Sequence, residues 1–385
     1  MLFVSNVSYL VFELFVYYNC LNKYKDTEAI MKVLIAMSGG VDSSVAANLL
    51  KNQGYDCVGC TMRLYENDMI GKDLFETCCS KKDTDDARAV SEKIGIPYYI
   101  YHYENIFREK VIDSFVNNYE KGLTPNPCIE CNRHLKFKYL FEKMKELNCD
   151  YLATGHYGII EYNEESKRYL LKKAKDQKKD QSYVLYTLTQ DQLSHILFPL
   201  GNYTKDETRQ IASDMEFVNA KKHDSQDICF IPDGDYAKFI ENYRKKAFPC
   251  GDFVDDNGKV VGQHKGIIYY TIGQRKGLNI SSDSPYYVTD IDPVNNIVYL
   301  SHGENLFKKE LKANNINLIS VPKIDGEMRA KAKIRYRHTE ADCIVKQTEE
   351  DELTVIFDEP QRAITKGQSV VLYDNDIVIG GGIIV

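Results

Sequence analysis

Lys32-Val-Leu-Ile-Ala-Met-Ser-Gly-Gly-Val-Asp-Ser-Ser44 decides the fold of this chain. Its first half, Lys32-Val-Leu-Ile-Ala-Met37, is a short continuous apolar run, as expected for a strand buried on both faces of a parallel sheet. Ser38-Gly-Gly-Val-Asp-Ser-Ser44 follows without a spacer, and Val45-Ala-Ala-Asn-Leu-Leu50 then has helical character, with Gly54 as a stop. In such a strand-to-helix turn two glycines let the backbone fold tightly and present bare N–H groups. The serines add hydroxyl donors and the helix its positive end, so the turn suits pyrophosphate. It carries no lysine, which separates it from the Walker A type. Ser and Asp also serve as plain helix caps; a Gly-Gly pair alone would mean no more than that, but the full string in this setting does.

Outward from this loop the alternation of strand and helix continues. Cys57-Val-Gly-Cys-Thr-Met62 reads as extended, Asp85 to Ile94 as helical and Tyr98-Tyr-Ile-Tyr101 as extended. Ile106 to Tyr119 is helical again, and Tyr151-Leu-Ala-Thr154 closes the series. Repeated βα units predict an α/β fold built on a doubly wound parallel sheet. After about residue 235 short β-rich segments alternate with turn signals. They are Ile267-Ile-Tyr-Tyr270, Tyr286-Tyr-Val-Thr289, Ile297-Val-Tyr-Leu300, Ala330 to Tyr336, Cys343 to Lys346, Leu353 to Phe357, Val370 to Tyr373 and Ile377 to Val385. This predicts small β-rich or β-barrel domains after the α/β domain. The expected boundaries are 31–235 for the catalytic α/β domain, 236–305 for a central β-rich domain and 306–385 for a C-terminal β-barrel.

Residues 1–30 read differently. Tyr9-Leu-Val-Phe-Glu-Leu-Phe-Val-Tyr-Tyr18 is apolar but broken by Glu13, lacks the basic start and cleavage site of a signal peptide, and is short for a membrane span. Met31 stands directly before the first strand, so 1–30 reads as an extension from an upstream start codon, and no membrane partner is expected.

The 385 residues are 43% hydrophobic and 27% charged, an ordinary globular composition large enough to need no disulfide staples. With 49 basic against 56 acidic side chains the net charge is −7, which excludes a general basic coat for nucleic acid but leaves room for local tracks. Lys167, Arg168, Lys172, Lys173, Lys175, Lys178 and Lys179 crowd one stretch; Lys323, Arg329, Lys331, Lys333, Arg335 and Arg337 crowd another. Eleven cysteines without a leader point to a reducing, cytoplasmic compartment and to thiols that are buried, catalytic or metal-bound.

Two cysteine settings stand out. In Leu123-Thr-Pro-Asn-Pro-Cys-Ile-Glu-Cys-Asn-Arg133 the prolines stiffen a loop, and Cys131 falls near a helix start beside Arg133, Lys136 and Lys138, a setting that favours thiolate. Ser225-Gln-Asp-Ile-Cys-Phe-Ile231 places Cys229 in a strand-like apolar stretch, where a buried hydrophobic role is the commoner one. No second Cys pair completes a four-cysteine zinc site, and the adjacent Cys78-Cys79 lack any context.

The Ser38–Ser44 string resembles the PP-loop of the N-type ATP pyrophosphatases, which split ATP into AMP and pyrophosphate to activate a carbonyl oxygen; the loop alone does not select the substrate. Thr124-Pro-Asn-Pro127, Cys131-Asn132, Ala153-Thr-Gly-His-Tyr157, Lys179-Asp-Gln-Ser-Tyr183, Asp227-Ile-Cys-Phe230, Thr271-Ile-Gly-Gln-Arg-Lys-Gly277 and Ile334-Arg-Tyr-Arg337 narrow it. With them, residues 31–385 resemble the bacterial tRNA-specific 2-thiouridylase family. The resemblance implies ATP-dependent 2-thiolation of the wobble uridine of tRNA, with a cysteine persulfide as sulfur carrier and release of AMP and pyrophosphate. It implies that Ala36, Met37, Ser38, Gly39, Gly40, Val41, Asp42, Ser43, Met62 and Gly155 bind ATP, with Mg²⁺ reached through Asp42. Cys229 would carry the persulfide and Cys131 would be the partner nucleophile. Asn126, Pro127 and Cys128 would face the target base, and His156, Lys179, Asp180, Gln181, Arg335, Tyr336 and Gln368 would touch tRNA. A cysteine desulfurase or a sulfur-relay protein would donate the sulfur. Many family members have Asp where this chain has Cys128. The trio Cys128, Cys131 and Cys229 therefore leaves two chemistries open, a persulfide relay and a three-ligand [4Fe–4S] cluster.

Overall fold

The computed structural model describes residues 30–65, 81–224 and 228–385. The apolar run Tyr9–Tyr18, Cys78-Cys79 and residues 225–227 lie outside the described residues.

The strand read from Lys32-Val-Leu-Ile-Ala36 is β1 (Lys32–Ala36), and both its faces are covered. Leu34 packs into one core, while Val33 and Ile35 pack into another on the opposite side. Helix α1 (Val41–Asn52) follows, then β2 (Asp56–Arg63), α2 (Lys81–Ile94) and β3 (Tyr98–His102). Glu104–Phe107, Arg108–Ile112 and Asp113–Glu120 run on as one helix, α3, with Phe107, Val111, Phe115 and Tyr119 turned inward. Pro127–Glu130, Cys131–Tyr139 and Leu140–Glu146 likewise form one helix, α4, whose middle section widens to π-type hydrogen bonding at Cys131. Such widened turns are frequent at functional positions.

Strands β4 (Tyr151–Thr154) and, much later, β7 (Ile196–Leu197) complete a five-stranded parallel sheet of order β3-β2-β1-β4-β7. The chain winds outward from β1 in one direction and then in the other, so the crevice between the carboxyl ends of β1 and β4 is the switch point where ligands bind in such sheets. Ser38–Ser44 emerges there. Between β4 and β7 the chain makes a hairpin of β5 (Ile159–Asn163) and β6 (Arg168–Lys172) and two short helices, α5 (Ser182–Leu185) and α6 (Gln190–Ser194). Helix α7 (Lys205–Asp214) is opened by a reciprocal cap between Thr204 and Glu207, and α8 (Tyr236–Arg244) follows.

The β-rich half is two sheets. Strands β8 (Gly251–Val254), β9 (Val260–His264), β10 (Tyr287–Asp292) and β11 (Ile297–Ser301) form one of order β10-β11-β8-β9. Strands β12 (Phe307–Leu318), β13 (Glu327–Lys333), β14 (Ala341–Glu349), β15 (Glu352–Arg362), β16 (Ser369–Asp374) and β17 (Ile377–Ile384) form the other. Pairing of β12 with β17 closes these six into a barrel around its own core, and β6 adds to β17 at Ile377. Closure removes the free edges that open sheets expose.

Three segments differ from their sequence reading. Ile267–Tyr269 is a single tight helical turn, because Gly266 at φ 128° redirects the chain and Ile267 and Ile268 are buried as a plug, not paired. Cys229 and Phe230 lie in a turn, since the aromatic side chain is drawn into a cluster with Phe107, Phe115 and Phe239. The strand read through Tyr336 stops at Lys333, and Ile334 alone of the next residues is buried. Among the described residues no helix is long and apolar enough to cross a membrane.

Phe230 is 1% exposed and holds the main chain of Cys229 to the domain. Phe230→Ala is expected to lower the unfolding free energy of the catalytic domain by about 3–5 kcal/mol, read by chemical denaturation.

Candidate active site

The phosphate loop is shaped by its contacts. Gly39 adopts φ +74°, and a Cβ there would lie 2.1 Å from the carbonyl oxygen of Asp83. Only glycine satisfies both the left-handed backbone and the contact. Gly155, after β4, packs as closely on α1: a Cβ would sit 2.7 Å from the amide nitrogen of Ser43. Within the loop Ser43 Oγ donates to Gly40 O at 3.1 Å and accepts from the Ser38 amide at 3.1 Å. Ser44 Oγ also donates to Gly40 O, at 3.0 Å.

Residues absent from the sequence reading fix this loop from outside. Asn219 Nδ2 donates to Gly39 O at 3.0 Å and to Ser44 Oγ at 2.9 Å. Lys222 Nζ donates to the same Gly39 O at 3.0 Å and bridges to Asp83 and to Asp86 at 2.8 Å. Burial works against the Lys222 charge, but the hydrogen bonds to Asp83 and Asp86 outweigh it and hold its pKa above the ordinary lysine value. Asp42 is gripped by Lys205 Nζ at 2.7 and 2.8 Å, and Tyr157 donates its hydroxyl to Oδ1 at 2.9 Å. Lys205 is 7% exposed and also reaches Asp224 at 2.8 Å. Lys179 and Arg209 complete the ring on Asp224, at 2.6 and 2.7 Å. Burial would raise the Asp224 pKa, yet the hydrogen bonds from Lys179 and Lys205 bring it down to about 2. Lys205, Lys222 and Asn219 stand in ordinary helical or loop sequence with no spacing to mark them, whereas Asp42, Tyr157 and Lys179 stood in the motifs read above.

Two cavities meet at this loop. One, of about 360 Å³, is lined by Ala36, Met37, Ser38, Asp42, Ser43, Met62 and Gly155 together with Pro127, Cys128, Cys131, Lys136, His156, Gln181 and Cys229. The other, of about 830 Å³, lies between the loop and the barrel; it takes in Ser38, Gly40, Val41, Asp42, Lys179, Asp180, Gln181 and Tyr336. Ser38, Asp42 and Gln181 belong to both. Gly39, Asn126, Arg335 and Gln368 line neither cavity.

Cys131 is 9% exposed at the point where α4 widens, Cys128 is exposed one turn earlier, and Cys229 is half-buried with its carbonyl accepting from the Tyr65 hydroxyl at 3.3 Å. Asn126 Oδ1 caps the helix through the Cys128 amide at 3.1 Å. Of the three cations read beside Cys131, only Lys136 shares its pocket: Arg133 turns toward Glu130 and a separate cavity with Asn317, and Lys138 lies over the ring of Tyr139. Among the described residues no group of three His, Cys, Asp or Glu side chains is arranged to hold a metal ion. Cys128, Cys131 and Cys229 therefore do not fit an iron–sulfur cluster as they stand. Asp42 has both oxygens engaged, Oδ1 by Lys205 and Tyr157 and Oδ2 by Lys205.

His156 is buried, with Nδ1 2.6 Å from Thr154 Oγ1 and Nε2 3.4 Å from Lys136 Nζ. Burial, and then the Lys136 charge, push its pKa well below 6.5, so it stands in the pocket as a neutral imidazole and presents no cation to RNA. Gln368 Nε2 donates to Thr124 O at 2.7 Å, and Tyr336 donates its hydroxyl to Asp180 O at 3.1 Å, which joins barrel to catalytic domain. The two basic runs are largely neutralised. Lys172, Lys173, Lys175 and Lys179 pair with Glu161, Glu340, Glu207 and Asp224, and Arg329 and Lys331 with Asp358 and Asp342.

The unfolded chain takes up a proton on His156 near pH 6.5 whereas the folded chain does not, so folding stability falls as the pH drops below that value. His156→Gln is expected to flatten this dependence between about pH 5 and 6.5, measured by denaturant titration at each pH.

Comparison with known proteins agrees with this geometry. Residues 31–233 match the family model described as the tRNA methyl transferase HUP domain. Residues 237–302 match the tRNA methyl transferase PRC-barrel domain, and 308–384 the aminomethyltransferase β-barrel domain. The chain is 52% identical over 353 residues to the tRNA-specific 2-thiouridylase MnmA of Clostridioides difficile (strain 630), covering 92% of this chain and 98% of that one. It is 54% identical over 354 residues to tRNA-specific 2-thiouridylase MnmA 2 of Thermoanaerobacter sp. (strain X514), covering 92% and 97%. To MnmA of Acetivibrio thermocellus it is 51% identical, covering 92% and 99%. A phosphate loop at the switch point of a parallel sheet, a cluster of cysteines in its pocket, a closed barrel behind it and near full-length identity of this order have one explanation: this chain belongs to the tRNA-specific 2-thiouridylase family.

Proposed function

We propose that this enzyme places sulfur on C2 of the wobble uridine of tRNA at the expense of ATP. The observation that carries the reading is the shared cavity: phosphate loop, Cys131, Cys229 and the Pro127-Cys128 corner line one space of about 360 Å³. A uridine C2 oxygen is a poor leaving group, and joining it to the α-phosphorus of ATP turns it into AMP. The loop amides and the serine hydroxyls receive the pyrophosphate that departs. A terminal persulfide sulfur on Cys229 then attacks C2. Cys131 attacks the inner sulfur, which breaks the S–S bond, forms a Cys131–Cys229 disulfide and leaves the outer sulfur on C2 as AMP is expelled. A thiol reductant restores both cysteines. The base reaches this cavity only when turned out of the anticodon stack. Lys179, Asp180, Gln181, Arg335 and Tyr336 flank the approach for the RNA, and a persulfide-bearing donor protein reloads Cys229. The sulfur steps run through no cluster, because among the described residues Cys128, Cys131 and Cys229 are not arranged to hold a metal ion.

The test is anaerobic incubation with tRNA, ATP, Mg²⁺ and a persulfide donor, followed by mass spectrometry of the digested RNA. Cys229→Ser and Cys131→Ser are each expected to abolish 2-thiouridine, while Cys128→Ser keeps product with no iron bound. Product loss in Cys128→Ser together with stoichiometric iron in the parent would overturn the relay.

Lys205 serves in this reaction by compensating Asp42, a carboxylate set where a polyanion must sit. Lys205→Met is expected to raise the KM for ATP by about tenfold or more. Adding Asp42→Asn recovers part of that loss, because the stranded charge is removed.

A further inference from the structure

The charges of the larger cleft divide by pairing. Six lysine or arginine side chains and four aspartates line it. Lys179, Lys205 and Lys222 are each seated on carboxylates. Among the described residues, Lys178, Lys333 and Arg337 have no carboxylate within ion-pair distance.

Lys333 is the telling member. It is half-buried at the end of β13, 5.9 Å from the ring centroids of both Tyr183 and Tyr336. Burial pulls its pKa down, against the more distant charges of Asp180 and Glu340. Nearby, His338 buries Nδ1 without a hydrogen-bond partner among the described residues, and burial followed by Arg335 and Lys333 keeps its ring neutral. A half-buried ammonium without a counter-ion and a buried ring nitrogen without a partner are each unfavourable, and such groups call for a ligand. The group that suits them is anionic and makes several hydrogen bonds, which describes a phosphate.

Its source follows from the cleft's other wall. That wall is the phosphate loop itself, Ser38, Gly40, Val41 and Asp42, whereas Cys131 and Cys229 line the smaller cavity. A group split from the α-phosphate at the shared Ser38–Asp42 boundary therefore has the cleft as its way out, away from the sulfur chemistry. We propose that Lys333, Arg337 and His338, all contributed by the barrel, form a phosphate subsite that takes up pyrophosphate as it leaves the loop. The barrel then takes part in the ATP half of the reaction as well as in holding RNA. This rests on the ATP-cleaving reading above.

Inorganic pyrophosphate is titrated calorimetrically into the full-length protein and into Lys333→Ala, Arg337→Ala, His338→Ala and Lys333→Arg. The expected result is a Kd raised about tenfold in Lys333→Ala and Arg337→Ala, with Lys333→Arg staying within about threefold of the parent. Product inhibition of AMP release by added pyrophosphate is expected to weaken in parallel. Arg337 is exposed, so its variant reports even where Lys333→Ala fails to fold. Binding of tRNA without nucleotide is measured on the same proteins. If tRNA affinity falls while pyrophosphate binding is unchanged, the subsite belongs to the RNA backbone and the proposal is overturned. If the parent releases AMP but the variants bind pyrophosphate as it does, this inference fails and the ATP reading stands; a parent that neither cleaves ATP nor binds pyrophosphate sinks the ATP reading itself.

Discussion

The carbonyl oxygen of Gly39 is the point on which the catalytic domain is assembled. Lys222 and Asn219 both bond to it, and they come from one short segment after α7. Lys222 also holds Asp83 and Asp86 of α2, and Asn219 holds Ser44 of α1, so loop, both helices and that segment are tied together. Hydrogen bonds involving a charged partner contribute about 1.5–3 kcal/mol each, enough to keep a glycine turn in a single conformation. With its carbonyl tied back, the turn is held in one shape at the start of α1. The same stretch of chain continues to Cys229. One short run of chain thus touches the loop at Asn219 and lines the cysteine pocket at Cys229.

A phosphate loop without a lysine still has to tolerate a polyanion, and this one has a carboxylate in it. Two unit charges at about 4 Å interact by about 4 kcal/mol where the effective dielectric is near 20, so an uncompensated Asp42 would oppose ATP strongly. Lys205 removes that opposition by direct contact on both oxygens, and its remaining donor goes to Asp224. The cation that other phosphate loops carry in sequence is here supplied from α7, about 160 residues away. The arrangement also reconciles an acidic chain with an anionic substrate. Net charge is a property of the whole surface, and the potential at the loop depends on how a few pairs are matched.

Four strands of the sheet were legible because they are short, apolar and separated by helical periodicity, and Ser38–Ser44 marks their switch point; β7, only two residues long, carries no such pattern, and the series read as closing at Thr154. The cysteines differ: prolines and neighbouring cations marked Cys131 locally, whereas Cys229 read locally as a buried hydrophobe and was singled out only by the family resemblance. What sequence could not carry was pairing across distance. Lys205, Lys222 and Asn219 look like any helical or loop residues until folding brings them to Asp42 and Gly39. The same blindness overstated the basic runs, where Lys172, Lys173 and Lys175 were visible and Glu161, Glu340 and Glu207 opposite them were not. Ile267–Tyr269 failed differently: an apolar run in a β-rich region reads as a strand, but a glycine at φ 128° and burial of two isoleucines made it a plug.

The barrel is fastened to the part of the active site that would meet the base. The amide of Thr124 donates to Lys366 O at 3.0 Å, and Gln368 returns a bond to Thr124 O. Tyr183, in α5, donates to Ser369 O at 2.7 Å, and Asn317 Nδ2 donates to the carbonyls of Tyr186 and Leu188. Most of these contacts use main-chain oxygens, so they fix position whatever side chains the surface carries. The consequence concerns the loop of Thr124-Pro-Asn-Pro127. Its prolines make it stiff, Asn126 starts α4, and the barrel holds its first residue; Cys128 and Cys131 therefore stand at a distance from the barrel that the fold sets. An RNA gripped by the barrel would meet those cysteines at a fixed reach. Selecting one base of a loop by reach needs no base-specific groups on the barrel, only a rigid connection between the grip and the thiols.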